Sequence, residues 1–183
     1  SSALRDRLRV MPAFRDLEPP SFAELLGDRL PAIGDAADRL VNIKPTIRRV
    51  RNERKPGTSY YLLTFNGVAM VALNAITMKP SVIALASEPG EELPKILEPD
   101  ALREKLHNTL VTIGDREITL DKGRFAIDAE LVWQRCDQSR SPFVPFYVLR
   151  QPPEGREEQG DKLYVRSTDG EVFPRLTTNL RGV

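Results

Sequence analysis

The pattern of apolar and polar positions predicts a chain built mostly from β-strands, and its most regular stretch covers residues 124–136. Apolar and polar residues alternate there with a period of two, which is typical of a strand buried on one face only. One face would hold Phe125, Ile127, Ala129, Leu131 and Trp133, and the other would hold Asp128, Glu130, Gln134 and Cys136. We therefore expect one long strand with a buried face and a solvated face.

A turn signal at Asn66-Gly67 predicts a β-hairpin in the middle of the chain. Asn and Gly both tolerate the positive φ values of a type I′ turn, whose twist matches that of paired strands. A two-residue loop fixes the register of the hairpin and would place Phe65 opposite Val68. The strands of this hairpin would cover 60–65 and 68–76.

Other segments complete the predicted elements. Short apolar runs bounded by turn residues predict strands at 82–86, where the strand should be buried, and at 110–113, 117–120, 143–150 and 163–166. Ser21 and Glu24 have the spacing of a capping box, and Asp35 precedes a second apolar periodicity. Asp100 would cap a third helix that extends to about residue 108.

Strands that follow one another through short turns form antiparallel sheets. The chain is therefore predicted to be an α+β fold, with a largely antiparallel sheet of roughly eight to ten strands and about three short helices. Its 183 residues, of which 40% are apolar, suffice for one packed domain, expected over 21–183. Residues 1–20 are Arg-rich and end in Pro19-Pro20, so we expect a flexible or extended leader there. The absence of an initiating Met suggests a fragment of a longer protein.

Composition removes several classes of site. One cysteine excludes an internal disulfide and a multi-thiolate zinc site, and one histidine excludes sites that need two imidazoles. The phosphate-binding patterns G-x-G-x-x-G and G-x-x-x-x-G-K-[ST] do not occur. We therefore expect no metal and no cofactor.

The chain carries neither an apolar run of about 20 residues, as a membrane span requires, nor the apolar stretch of a signal peptide. The expected location is the cytoplasm. A bacterial effector that is delivered into a host or target cytoplasm without a signal peptide would have the same sequence features.

A cluster of cations lies in residues 44–55, although the net charge of the chain is only +1. Our preferred hypothesis is a non-catalytic binding domain that contacts an acidic protein partner through this basic strand. The binding residues would be Arg48, Arg49, Arg51, Arg54 and Tyr60. The same residues could instead bind nucleic acid, with Tyr60 and Tyr61 as stacking faces. A third alternative is that the charges only protect an outer strand, held by Ile47 and Val50, from aggregation.

The candidate catalytic residues are His107, Cys136, Asp128 and Glu130. His107 could activate Cys136 as a nucleophile, with Asp128 or Glu130 orienting the imidazole. The two carboxylates, on one face of a strand, could also bind a hard cation or transfer protons. The plain alternative is a solvated acidic face, a histidine at a helix end and a cysteine in the core.

The segments YYLLTFNGVAMV at 60–71 and VIALASEPG at 82–90 resemble the central strands of GNAT-type acyltransferases. In that family a hairpin leads to a strand that ends at the loop binding the acyl-CoA pyrophosphate. The family's Arg/Gln-x-x-Gly-x-Gly/Ala loop would follow Pro89-Gly90, where this chain has Glu-Glu-Leu-Pro-Lys. The resemblance implies a divergent acyltransferase as an enzymatic alternative, beside a Cys-His transferase or hydrolase.

Overall fold

A computed structural model describes residues 44–86, 92–155 and 160–179. The chain divides into two compact units, Ser1–Leu93 and Pro94–Val183. The predicted leader and the first two predicted helices lie outside the described residues, and one domain over 21–183 stays a prediction. The α+β class is confirmed in its broad form, because the described residues form antiparallel strands and few helices. They contain one α-helix, where about three were predicted for the chain.

The described part of the first unit is an antiparallel meander. Its strands neighbour one another in chain order: β1 (Thr46–Arg51), β2 (Tyr60–Phe65), β3 (Ala69–Asn74) and β4 (Pro80–Leu85). A single 3₁₀ turn, Pro56–Thr58, lies between β1 and β2. β2 and β3 have almost continuous apolar sequences and are buried on both faces, so they form the core of this unit.

The hairpin at Asn66-Gly67 is confirmed, but its predicted register is wrong by one residue. Phe65 pairs with Ala69 instead of Val68, and the other pairs of the hairpin shift with it. A type I′ turn needs positive φ at both central residues, whereas Gly67 has φ +73 and Asn66 is not left-handed. The Val68 amide closes the turn on the Phe65 carbonyl at 2.9 Å, which leaves Val68 in the loop.

The second unit begins with α1 (Pro99–Leu106), which packs its buried Leu102 and Leu106 inward. Asp100 was predicted to cap this helix, but the N-cap is Glu98 and Pro99 occupies the first turn. Proline fits there because the first helical N–H groups have no partner within the helix. Asp100 instead lies in the first turn, where a carboxylate interacts favourably with the helix dipole.

The strands of the second unit form two sheets. A hairpin contains β5 (Leu110–Ile113) and β6 (Arg116–Thr119), close to the predicted bounds. A larger antiparallel sheet contains β7 (Ala126–Val132), β8 (Phe146–Arg150), β9 (Lys162–Arg166) and β10 (Val172–Phe173), in that order. The short strand β10 was not predicted, because two residues are too few to give an alternation.

Arg166 connects the end of β9 to the turn that follows it. Its guanidinium donates hydrogen bonds to Asp169 at 2.6 Å, to Glu171, and to the carbonyl of Gln138 at 2.9 Å. It also lies 5.3 Å from the centre of the Phe173 ring. Burial raises the pKa of the Asp169 carboxyl, but hydrogen bonds from Arg166 and from the Glu171 amide, with nearby positive charge, lower this pKa by more.

This lowered pKa makes stability depend on pH in a defined direction. A carboxyl group whose pKa is depressed by folding stabilises the protein above its unfolded pKa of about 3.9, and that contribution is lost as pH falls through the folded pKa. We expect Asp169→Asn to lower the urea midpoint of unfolding at neutral pH. In acid, the midpoints of the variant and the parent protein should lie closer together. Urea unfolding followed by Trp133 fluorescence measures this, with Asp115→Asn in the exposed β5–β6 turn as the control. A difference that stays constant down to strongly acidic pH would contradict the role of the Asp169 charge.

Candidate functional site

The connection between β1 and β2 is held in one conformation by Asn52. Its side-chain oxygen accepts hydrogen bonds from the amides of Arg54 at 3.0 Å and Lys55 at 2.9 Å. The backbone amide of Asn52 donates a hydrogen bond to the Ser59 hydroxyl at 3.2 Å. Asn52 and Ser59 are both buried, whereas residues 53–58 between them are exposed. The buried polar pair therefore fixes an exposed loop, as asparagine commonly does in turns.

The connection between β3 and β4 is built in the same way around Asn74. The Asn74 side-chain oxygen accepts hydrogen bonds from the amides of Ile76 and Thr77, both at 2.8 Å. Its backbone carbonyl accepts one from Met78, whose φ of 58 lies in the left-handed region. Because β1 to β4 form a meander, this connection lies at the same end of the unit as the β1–β2 connection.

The two connections contact each other directly. The Ala75 amide donates to the Ser59 carbonyl at 2.9 Å, and a Cβ on Gly57 would lie 3.8 Å from the Ile76 methyl group. We call this surface the cationic end and define it by the exposed residues Arg51, Arg54, Lys55, Ile76 and Lys79. Ile76, the apolar member of this set, is 54% exposed. One acid, Glu53, lies among the cations in the sequence and takes part in an interaction of its own.

The structure places the predicted binding residues in different surroundings. Arg49, Arg51 and Arg54 are exposed and Arg48 is half-buried. Neighbouring residues of a strand point to opposite faces, so Arg48 and Arg49 cannot contact a partner from one face. Arg48 and Arg51 also make interactions within the chain. The predicted basic strand is therefore not one continuous binding face.

The prediction that Tyr60 is a binding residue is wrong, because its side chain is buried. Its side chain is 5% exposed and that of Tyr61 is 8% exposed, so neither ring can stack on an incoming base. Burial also raises the pKa of the Tyr60 phenol, because the charged phenolate is poorly solvated there. Tyr60 therefore belongs to the core, whereas Ile76 and Lys79, which were not predicted as binding residues, are exposed. The sequence signal for these two was the turn propensity of Asn74, which precedes both.

His107 lies at the end of α1. Its Nδ1 accepts a hydrogen bond from the Lys122 amide at 3.2 Å and lies 3.9 Å from an Asp121 carboxylate oxygen. In the same region the Arg103 guanidinium donates to the carbonyls of Lys122 and Phe125 at 3.0 and 3.1 Å. These contacts fasten the helix to the turn before β7. These contacts explain the position of His107 without a catalytic role, because they join the end of α1 to the turn.

Cys136 has quite different surroundings. It is 2% exposed and packs with Val132, Phe146 and Val148 in an apolar cluster. Its thiol donates to the Ser139 carbonyl at 3.6 Å. The predicted strand over 124–136 ends at Val132, so Cys136 lies in a turn and not on the strand face of Asp128 and Glu130. His107 therefore contacts Lys122 and Asp121, whereas Cys136 contacts Ser139 and the apolar cluster.

The predicted alternation of β7 is interrupted where the two carboxylates lie. Ile127 pairs with Leu149 and Leu131 pairs with Tyr147, so three residues of β7 oppose only Val148 of β8. Such a bulge removes the strict alternation of faces. Residues 128–130 are all exposed, including Ala129, which was expected in the core. Asp128 and Glu130 therefore lie in an exposed bulge, and their alignment on one strand face stays a prediction.

We expect Cys136 to react slowly with alkylating agents, because its thiol becomes accessible only when the cluster opens. In the folded protein the reaction with iodoacetamide should be slower than in the urea-unfolded chain by about a hundredfold or more. Mass spectrometry of the modified peptide over time measures both rates. Equal rates in the folded and unfolded chain would instead indicate an accessible thiol and would revive the Cys-His hypothesis.

The second unit contains an open groove of about 400 Å³. Its charged groups are already bonded to one another or to the backbone. Arg116 pairs with Asp161 at 2.6 Å, and Arg124 donates to the Pro152 carbonyl at 2.6 Å. Neither the candidate catalytic residues nor the basic strand lines this groove. Its paired charges leave little binding capacity for an anion.

Within 44–86, 92–155 and 160–179, no three or more His, Cys, Asp or Glu side chains are grouped so as to hold a metal ion. No helix in this part of the chain is long and apolar enough to cross a membrane. The loop that would bind acyl-CoA in a GNAT-type enzyme begins in residues 87–91, which lie outside the described ranges. Comparisons with protein-family models, curated proteins and solved structures find no match to this chain.

Proposed function

We propose that this chain is a non-catalytic binding domain that contacts an acidic protein partner through the cationic end and the neighbouring Arg49. The observation that supports this most is the exposure of cations in two connections that contact each other, Arg54 and Lys55 in one and Lys79 in the other, together with the exposed Ile76. Arginine forks suit carboxylates in particular, because two parallel hydrogen bonds can form.

The rigidity of the two connections favours binding. Each is closed by an asparagine side chain that accepts two backbone hydrogen bonds. A loop that already has its bound conformation loses less conformational entropy on association. The exposed Ile76 adds an apolar contact to the charged ones, and protein interfaces usually combine the two.

A protein partner is favoured over nucleic acid by the tyrosines and by the overall charge. Binding of single strands relies on exposed aromatic rings, and Tyr60 and Tyr61 are buried. The net charge of +1 also gives no long-range attraction to a phosphate backbone. A non-catalytic role is supported by the burial of Cys136 and by the docking contacts of His107.

Charge reversal at the cationic end tests the proposal. The probe is a fluorescent peptide in which glutamates alternate with leucines, and its binding is followed by anisotropy. The double variant Arg54→Glu/Lys55→Glu should weaken binding by about tenfold or more, which corresponds to about 1.4 kcal/mol. Binding to the parent should weaken as salt is added, because exposed charges are screened.

The matched control is Lys95→Glu/Arg175→Glu, which makes the same change in net charge at exposed positions of the second unit. It should bind the peptide as the parent does. Equal weakening in both double variants would mean that the attraction is nonspecific and would reject the cationic end as the site. Tighter binding of a mixed-sequence single-stranded DNA than of the acidic peptide would favour the nucleic-acid alternative instead.

A further inference from the structure

The outer edge of β4 is not paired with any strand that the structure describes. Among the described residues β4 pairs with β3 alone, and it ends the strand order of its unit. Ser81 is exposed, and Val82 is 40% exposed although its side chain is large and apolar. This differs from the sequence prediction of a buried strand. An unpaired strand edge is a template for pairing with another chain.

The register identifies the groups on this edge. The Ala86 amide donates to the Val68 carbonyl at 2.9 Å, and Ala84 is opposite Met70 in the same register. Hydrogen-bonded and non-hydrogen-bonded pairs alternate along an antiparallel ladder. The backbone N–H and C=O groups of Ala84 therefore point toward β3, and those of Ile83 and Leu85 point outward.

The charge pattern along β4 is strongly asymmetric. Residues 80–86 contain no charged side chain, whereas Lys79 directly precedes the strand and belongs to the cationic end. Natural edge strands are commonly protected by charges, in particular lysine, along their length. Here the positive charge is confined to the beginning of β4, and the rest of the edge is uncharged.

We propose that the acidic partner binds by adding an extended strand to the outer edge of β4, antiparallel to it. The strand is uncharged where it lies along residues 81–86, and its acidic C-terminal end lies beside Lys79. This inference rests on the proposed function and names the form in which the partner is recognised. Main-chain hydrogen bonds to Ile83 and Leu85 provide affinity, as in other cases of strand addition, and the cationic end fixes direction.

The test uses the synthetic peptide Thr-Val-Thr-Val-Thr-Asp-Asp with a free carboxyl terminus. A second form is N-methylated at alternate amides, which removes hydrogen-bond donors without changing the charge. A third form has Lys-Lys in place of Asp-Asp. Each change should weaken binding by about tenfold or more, since each removes several hydrogen bonds or ion pairs.

Amide hydrogen exchange distinguishes strand addition from simple charge attraction. The first peptide should slow exchange at Ile83 and Leu85, while Ala84, already directed toward β3, should change little. A fourth peptide, Gly-Ser-Gly-Ser-Gly-Asp-Asp, has the charge without the strand propensity. If it binds as well as the first and exchange at Ile83 and Leu85 is unchanged, strand addition is wrong although the acidic-partner proposal survives.

The remaining outcomes separate the two proposals further. If the Asp-Asp and Lys-Lys forms bind alike and both slow exchange at Ile83 and Leu85, the acidic-partner proposal is wrong. Strand addition to β4 is then supported without a preference for acidic partners. If the N-methylated peptide binds like the first, hydrogen bonding to β4 is excluded. If no peptide binds and exchange is unaffected, the inference about β4 is overturned.

Discussion

Phe146→Ala is expected to lower the free energy of unfolding of the second unit by about 3–5 kcal/mol, because truncating a buried aromatic ring removes apolar burial and leaves a cavity. Phe146 is completely buried in the cluster that contains Val132, Cys136 and Val148. Its ring also makes edge contacts with Tyr164 and Phe173, at centroid distances of 6.4 and 6.3 Å. The side chain therefore joins β7, β8, β9 and β10.

Trp133 provides the measurement for this variant. It is the single tryptophan of the chain and it packs against the same cluster, so its fluorescence reports unfolding of the second unit during a urea titration. Leu110→Ala is the matched control, because Leu110 is 67% exposed. Its truncation should change stability by less than about 0.5 kcal/mol. Similar losses in the two variants would show that Phe146 is not the centre of this core.

Gly160→Ala is expected to destabilise the second unit by about 3 kcal/mol, at the upper end of the usual cost of overpacking. A Cβ at Gly160 would lie 1.7 Å from the backbone carbonyl oxygen of Gln151. A backbone atom cannot move aside as a flexible side-chain end can. The chain between β8 and β9 would have to separate, which would disturb the pairing of Arg150 with Lys162.

Gly123→Ala is the control for this substitution. The nearest atom to a Cβ there is the Asp121 side-chain oxygen at 3.4 Å, an ordinary contact, and Gly123 is not left-handed. Alanine at such a position stabilises a protein by up to about 1 kcal/mol, because it reduces the conformational entropy of the unfolded chain. The difference between the two urea midpoints is the measured quantity. Equal midpoints would show that residues 151 and 160 are not packed backbone against backbone.

Turn chemistry explains why the hairpin was predicted correctly and its register was not. Asn66-Gly67 marks a reversal of the chain because both residues tolerate positive φ. Several turn types share that composition, and they differ in how many residues they leave unpaired. The packing of the β2 and β3 side chains selects among them, and this information lies outside the turn.

The same reasoning applies to the second unit. Alternation over 124–136 correctly predicted β7, but the bulge at residues 128–130 depends on how β7 fits against β8. The alternation placed Cys136 on the polar face of this strand. Cys136 lies in the core instead, because the strand ends four residues earlier, at Val132. A period of two has meaning only while the chain remains in one regular strand.

The sequence by itself determined the elements whose signals are local. These include the β2–β3 and β5–β6 hairpins, the region of α1, and the antiparallel character that short turns between strands impose. Tertiary structure alone decided which side chains meet. It buried Tyr60, brought Ser59 beside Ala75, and left the uncharged outer edge of β4 unpaired among the described strands. The physical reason is that turn and strand preferences depend on near neighbours, whereas burial and charge clustering depend on residues distant in the chain.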